Sequence, residues 1–296
     1  MENIRGAAFM VAAMGFFAIE DALIKILAGA IPVGQIITLT CGGALLLFIL
    51  WSLIRGIPLW HPGYLDARVN LRSLADVIGS CFFVTSLSLI PLTTASAVIQ
   101  ATPLVVALGA AMFLGQTIGW RRWIAIIIGF IGVMIIIRPG TEGFSSYTLL
   151  AVGGMLGLAA RDLLTRGLIV NLSGVQLATH TFTLICPAGV LLAYSQGQSF
   201  IMPDFEQSLI LIATVAIGIL AYLAIVAATR EGNAGIISSF RYSRMLFALV
   251  IGFLFFSERP DAPTLIGAAI IIASGLFTLL REARLRKASP SKAGAV

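Results

Sequence analysis

Eight charged side chains interrupt otherwise apolar runs: Glu20, Asp21, Asp76 and Asp162, against Lys25, Arg161, Arg241 and Arg244. A charge held in hydrocarbon is expensive, so each is a candidate for function. Four of each sign cancel, which is the balance expected of charges that pair in a low dielectric. Within Phe240-Arg241-Tyr242-Ser243-Arg244 the two arginines would lie about 60° apart on an ideal helix. Both guanidinium groups then face one cavity and suit a carboxylate, which arginine grips bidentately. The competing reading is that Arg241 or Arg244 neutralises Asp76, Asp162 or Glu20 and joins helices. Tyr242, Tyr222 and Phe240 are available to form the apolar part of such a cavity. Gln100-Ala101-Thr102-Pro103 offers a second polar point: Pro103 removes a backbone donor and frees a carbonyl, marking either a discontinuity at a binding site or a packing kink. Here Gln100 would meet a substrate amine or carboxylate, beside Thr102. His180, within Thr179-His180-Thr181, is a hydrogen-bonded interior residue or a proton carrier, and Asp76 faces the same choice between ion pair and proton site. Asp21 with Lys25, and Asp162 with Arg166, are i,i+4 pairs near opposite faces, suited to gating or to interfacial anchoring.

No catalytic residues, metal ligands or cofactor are expected. Cys41, Cys81 and Cys186 fall in apolar runs without a CxxC spacing, and there is no Walker A, GxSxG or HExxH sequence. An enzyme is therefore not expected.

The elements that must hold these residues follow from composition. Of 296 residues, 59% are hydrophobic and only 11% charged, with a mean hydropathy of +1.02. A water-soluble globule carries about 25% charged residues, so the bilayer is the solvent here. Runs of about 20 apolar residues are needed to cross it. Ten are found, at 6–28, 33–54, 73–90, 94–114, 121–138, 148–166, 175–194, 208–229, 235–256 and 263–281. Their connections are too short for a catalytic domain or a docking surface. Arg5 ahead of an apolar stretch resembles a secretory signal, but Glu20, Asp21 and Lys25 would break its apolar core, so a retained first helix is expected. Thirteen of the 19 Lys and Arg fall on the side of the N-terminus, and only Arg138 and Arg259 on the other. That asymmetry predicts cytoplasmic termini, and it assigns the net charge of +6 to orientation rather than to a nucleic-acid partner.

The two halves repeat at a separation of about 142 residues. Gln116 ends the fourth span as Glu258 ends the ninth, Gly132 corresponds to Gly275, and Asp21-x3-Lys25 to Asp162-x3-Arg166. Each copy holds five spans, and an odd number forces the second copy to insert upside down. The expected fold is all-α and integral to the membrane, with ten transmembrane helices as two inverted-topology five-helix repeats, at 1–140 and 146–281, followed by a disordered cytoplasmic tail at 282–296. Alternating access around a midplane site follows from that architecture more readily than receptor or scaffold function.

Segments 103–116 and 245–258 close each fourth helix, and 125–132 and 267–275 form a glycine-containing fifth. In these the chain resembles the drug/metabolite transporter superfamily, within it the EamA family, and in particular the YddG-type amino acid exporters. The family pattern places a proline thirteen residues before an acid; here the first half keeps Pro103 but ends in Gln116, and the second keeps Glu258 but begins with Met245. The resemblance implies a central cavity and export of a small metabolite. An exporter of amino acids, aromatic or neutral, in a bacterial inner membrane is the expectation, with Arg241, Arg244, Tyr242, Gln100, Thr102, Pro103, Tyr222 and His180 at the substrate and Asp76, Glu20, Asp21, Lys25, Arg161 and Asp162 in coupling or gating. The alternatives are a carrier of a vitamin, a nucleotide-linked sugar or a drug, and a non-transporting receptor or scaffold. The expected partners are the small-molecule substrate and the lipid bilayer, with proton coupling open and the chain a monomer or weak dimer.

Overall fold

A computed structural model describes residues 2–115, 119–230 and 234–288, so Gln116 and residues 289–296 of the tail lie outside it. Ten of its helices are long and apolar enough to cross a membrane. Helices α1 (Glu2–Ala28), α2 (Val33–Arg55), α3 (Ala67–Leu89), the pair α4 (Leu92–Ile99) and α5 (Thr102–Phe113), and α6 (Trp120–Ile137) make the first repeat. The second consists of α7 (Thr148–Arg166), α8 (Gly174–Ser195), α9 (Phe205–Arg230), the pair α10 (Ala234–Ser239) and α11 (Ser243–Phe256), and α12 (Ala262–Ala288). Local sequence sets these boundaries. Asp66 accepts the Arg68 backbone N–H at the start of α3, Ser173 and Gln176 form a capping box at the start of α8, and Gly56 ends α2 with a φ of 65°.

The long contacts obey an exchange of the two repeats. Helix α1 packs along α9, and its counterpart α7 along α3; α2 packs on α8 and α6 on α12, each on its own counterpart. An inverted two-fold relation requires that pattern. Without water to drive helices together, close approach of backbones holds them. A Cβ added to Gly34 of α2 would lie 2.3 Å from the Gly189 carbonyl oxygen of α8, and one on Gly267 of α12 would lie 2.6 Å from that of Gly132 of α6. These two self-related crossings therefore accept no side chain.

Three differences from the sequence reading affect the site. Helix α3 begins at Ala67, not 73, because Asp66 caps it. Arg72, read as a loop cation, therefore lies within the helix one turn before Asp76. The fourth span breaks between Ile99 and Thr102, with Pro103 in the first turn of α5. The ninth breaks into a 3-10 turn at Phe240–Tyr242, so it is not the continuous helix on which Arg241 and Arg244 would share one face. Gln100 Nε2 donates to the Tyr242 carbonyl at 3.0 Å and to that of Arg241 at 3.4 Å. A side chain at the first discontinuity thus satisfies carbonyls freed at the second, across the repeat boundary, as broken helices inside a membrane require.

Candidate functional site

Between the repeats lies a cavity of about 410 Å³, walled by α1, α2, α3, α7, α8 and α9. It extends from Ile24 and Ile37, near the far ends of α1 and α2, to Arg72 and Gly174, near the cation-rich ends of α3 and α8. The volume falls within the range of small-ligand sites, roughly 300 to 1,000 Å³.

One wall is charged. Asp76 on α3 accepts from Arg72 at 3.0 Å, one turn below it, and from Arg161 on α7 at 3.2 Å. Arg161 also reaches Asp162 at 2.8 Å. Arg72 donates further to Thr181 of α8 at 2.7 Å, and Ser73 lies 3.1 Å from the same hydroxyl. Three helices are tied together there by charge-assisted bonds, and Arg72, Asp76, Arg161 and Thr181 all line the cavity. The opposite side is aromatic. Phe48 of α2 stacks on Phe182 of α8 at 5.7 Å and meets Tyr222 of α9 edge-on at 5.1 Å. Glu20 of α1 also lines the cavity, beside Gly218 of α9, and makes no hydrogen bond or ion pair among the described residues.

Of the residues singled out in the sequence, Glu20, Asp76, Arg161 and Tyr222 thus come together at the cavity. The others lie elsewhere. Arg244 binds Asp21 at 2.5 Å, its guanidinium between the rings of Phe17 and Phe83. Asp21 therefore pairs across helices rather than with Lys25. Arg241 makes no ion pair among the described residues; Asp162 is the acid whose charge acts on it. Tyr242 is buried, and Gln100, Thr102 and Pro103 hold the helix breaks, with the Thr102 hydroxyl donating to the Ile99 carbonyl at 2.6 Å. His180 lies 3.1 Å from the Asn70 amide oxygen and stacks on Tyr64 at 4.8 Å, outside the cavity lining.

The far half is closed. Lys25 donates to the carbonyls of Leu87 and Ile90 at 3.0 and 2.6 Å and stands 3.9 Å from Glu258. Glu258 accepts from the Leu92 and Thr93 backbone N–H groups at 2.6 and 3.0 Å, so the acid that ends α11 caps the N-terminus of α4. Arg138, just after α6, pairs with Asp261 at the start of α12. Leu27, Ile31, Ile36, Leu87 and Ile90, all buried, belong to one apolar cluster in this half.

Sequence reasoning missed Arg72, Thr181, Phe48 and Phe182. The Asp66 cap together with the i,i+4 spacing of Arg72 and Asp76 is a signal that would have found the first. Nothing local distinguishes Phe48 or Phe182 from lipid-facing phenylalanines.

Comparison with known proteins is consistent with this geometry. The sequence matches the EamA-like transporter family twice, over residues 4–138 and 145–280. It is 27% identical over 212 residues to an S-adenosylmethionine uptake transporter of Rickettsia felis, covering 72% of this chain and 71% of that one. It is 30% identical over 209 residues to a riboflavin transporter of Vibrio cholerae, covering 70% and 69%. It is 25% identical over 277 residues to the pseudopaline exporter CntI of Pseudomonas aeruginosa, covering 91% and 94%. A crystal structure superposes with a TM-score of 0.57 at 20% identity, over 95% of this chain and 98% of that one, a likeness of fold.

Proposed function

The chain belongs to the EamA-like transporter family, and on that premise we propose that it exports small dipolar metabolites, amino acids or close derivatives, through the cavity between its repeats. It is a multi-pass membrane transporter; the substrate class, the direction and the bacterial inner membrane are the proposal. The observation that carries the substrate class is the lining. Arg161 and Arg72 offer a carboxylate its bidentate partner, Glu20 offers an ammonium group its counter-ion, and Phe48, Phe182 and Tyr222 offer an apolar side chain a flat surface. S-adenosylmethionine, the cargo named for one relative, itself joins an amino-acid head to a planar base. In this reading Arg244 with Asp21 sets the packing of α11 against α1, the charge of Asp162 holds Arg241 in the 3-10 turn, and Gln100, Thr102, Pro103 and Tyr242 form the joint on which the repeats rock. Lys25 with Glu258 closes the far mouth, and His180 steadies the near one. With the cation-rich side cytoplasmic, the cavity loads from the cytoplasm.

The test is counterflow of labelled L-phenylalanine in proteoliposomes, with S-adenosylmethionine and riboflavin as competitors. Saturable exchange inhibited by S-adenosylmethionine is expected. The aromatic wall favours a second reading, a planar vitamin; transport of riboflavin with no exchange of phenylalanine would replace the first reading with that one.

A further inference from the structure

A groove of about 460 Å³ lies between α6 and α12 and shares no lining residue with the central cavity. The two helices meet backbone to backbone at Gly132 and Gly267. On the cation-rich side of that crossing the groove has a floor of Ala125 and Ser274, both buried, while Ile124, Ile128 and Phe277 stand on its flanks about half exposed. Ser274 donates to the Ile271 carbonyl at 3.0 Å, so the floor asks for no polar partner. The mouth differs. There the Arg121 guanidinium lies over the exposed ring of Trp120 at 5.2 Å. Arg281 follows Phe277 by one turn, on the same side of α12. Neither arginine forms an ion pair among the described residues. No acid occurs from Trp120 to Ile137 or from Ala262 to Arg281, and Glu282 is outnumbered by Arg284, Arg286 and Lys287.

Guanidinium groups above a concave apolar surface suit an anion that carries a hydrocarbon tail. We propose that this groove seats one acyl chain of an anionic phospholipid, with the phosphate on Arg121 and Arg281 and the Trp120 ring at the level of the glycerol. From Trp120 to Ile128 the groove runs roughly 12 Å along α6, against about 15 Å for the hydrocarbon of one leaflet. The chain therefore enters from the cation-rich side and ends near the glycine crossing. A second copy of the protein fits this face less well, because it would bring its own cation-rich helix ends against these with no acid to offset them. Since α6 belongs to the first repeat and α12 to the second, the seated lipid bridges the repeats. It does so whichever substrate the central cavity carries.

Tryptophan quenching in liposomes of the full-length protein tests this. With Trp51 and Trp60 replaced by phenylalanine, Trp120 and Trp123 are the remaining reporters. Phosphatidylglycerol or phosphatidylcholine, brominated in the upper acyl chain, is added as a minor component to unlabelled phosphatidylcholine. Half-quenching should need about fivefold less of the phosphatidylglycerol for each arginine engaged. R121Q should cut that ratio by about the same factor, and R121K should preserve it. A273F, which fills the groove and leaves both charges, should abolish the preference. Arg121 and Ala273 are both exposed, so these variants are expected to fold, and their melting curves in detergent check it. Equal quenching by the two lipids overturns the proposal, as does a preference that A273F leaves intact, since surface charge alone then accounts for it. Inorganic phosphate, which has no chain to seat, should leave the preference standing at matched ionic strength; its abolition would mark a free-anion site and overturn the proposal. A dimer in mass photometry that A273F dissociates, in protein without a lipid preference, would assign the face to a second copy instead.

Discussion

Replacing Arg161 by Met removes one charge at nearly constant volume and separates the structural from the functional use of the polar wall. Arg161 makes two charge-assisted bonds, to Asp76 at 3.2 Å and Asp162 at 2.8 Å. Each such bond contributes about 1.5 to 3 kcal/mol, so their sum is an upper bound. Asp76 keeps Arg72 at 3.0 Å and stays neutralised. Asp162, with 26% of its side chain exposed, loses its ion-pair partner but remains partly solvated. The net loss is then close to the penalty for one unsatisfied acid, about 2 to 3 kcal/mol. For a chain of this size that lowers the melting temperature by about 5 to 10 °C. Thermal denaturation in detergent of R161M, D162N and the double variant gives the coupling. R161M/D162N should regain at least half of the lost stability, because it leaves no bare carboxylate. Phenylalanine exchange should not recover in the double variant, since Met at position 161 offers the substrate carboxylate no guanidinium. Strict additivity of the two substitutions would refute the ion-pair account, and recovered exchange would refute the binding account.

Gly189→Ala should destabilise the protein by about 1 to 3 kcal/mol in the same melting assay, although alanine favours a helix by about 1 kcal/mol, because the new methyl would lie 2.6 Å from the Gly34 carbonyl oxygen. Glu258→Gln should lower stability by about 1 to 2 kcal/mol, since it weakens the cap on α4 and frees Lys25. Phe48→Ala should raise the KM for phenylalanine about tenfold and that for alanine much less, as the ring it stacks on or replaces contributes about 1 kcal/mol or more. The Arg138 hydrogen bond, with a further one from Thr264, holds the Asp261 carboxyl at about 2 from the usual 3.8. Because that value is depressed, the stabilisation is complete above 3.8 and is lost as pH falls through about 2. Half-exposed, the pair contributes at most about 1 kcal/mol, so the melting temperature of D261N should trail that of wild type by a small, constant margin from pH 5 upward.

The unlike fates of residues with like sequence signals mark the limit of reading from sequence. Arg161 and Arg241 each lie in an apolar run near the cation-rich face. One bridges two acids at the cavity; the other makes no ion pair among the described residues. Asp21 and Lys25 sit at a spacing that pairs in an isolated helix, yet each binds a partner more than 200 residues away. Side-chain spacing fixes which residues share a helix face, but which face meets which neighbour depends on crossings set by glycines such as Gly34 and Gly189.

By itself the sequence determined the solvent, the ten spans and the inverted repeat. Each follows from free energies that add along the chain: apolar residues over bilayer thickness, and the parity of the spans in each copy. Tertiary structure alone decided that Arg72 and Thr181 join the wall, that Gln100 meets Tyr242, that Glu258 caps α4, and that Glu20 is left without a partner. Those are choices among competing long-range contacts, and their energies depend on distances that no local pattern encodes.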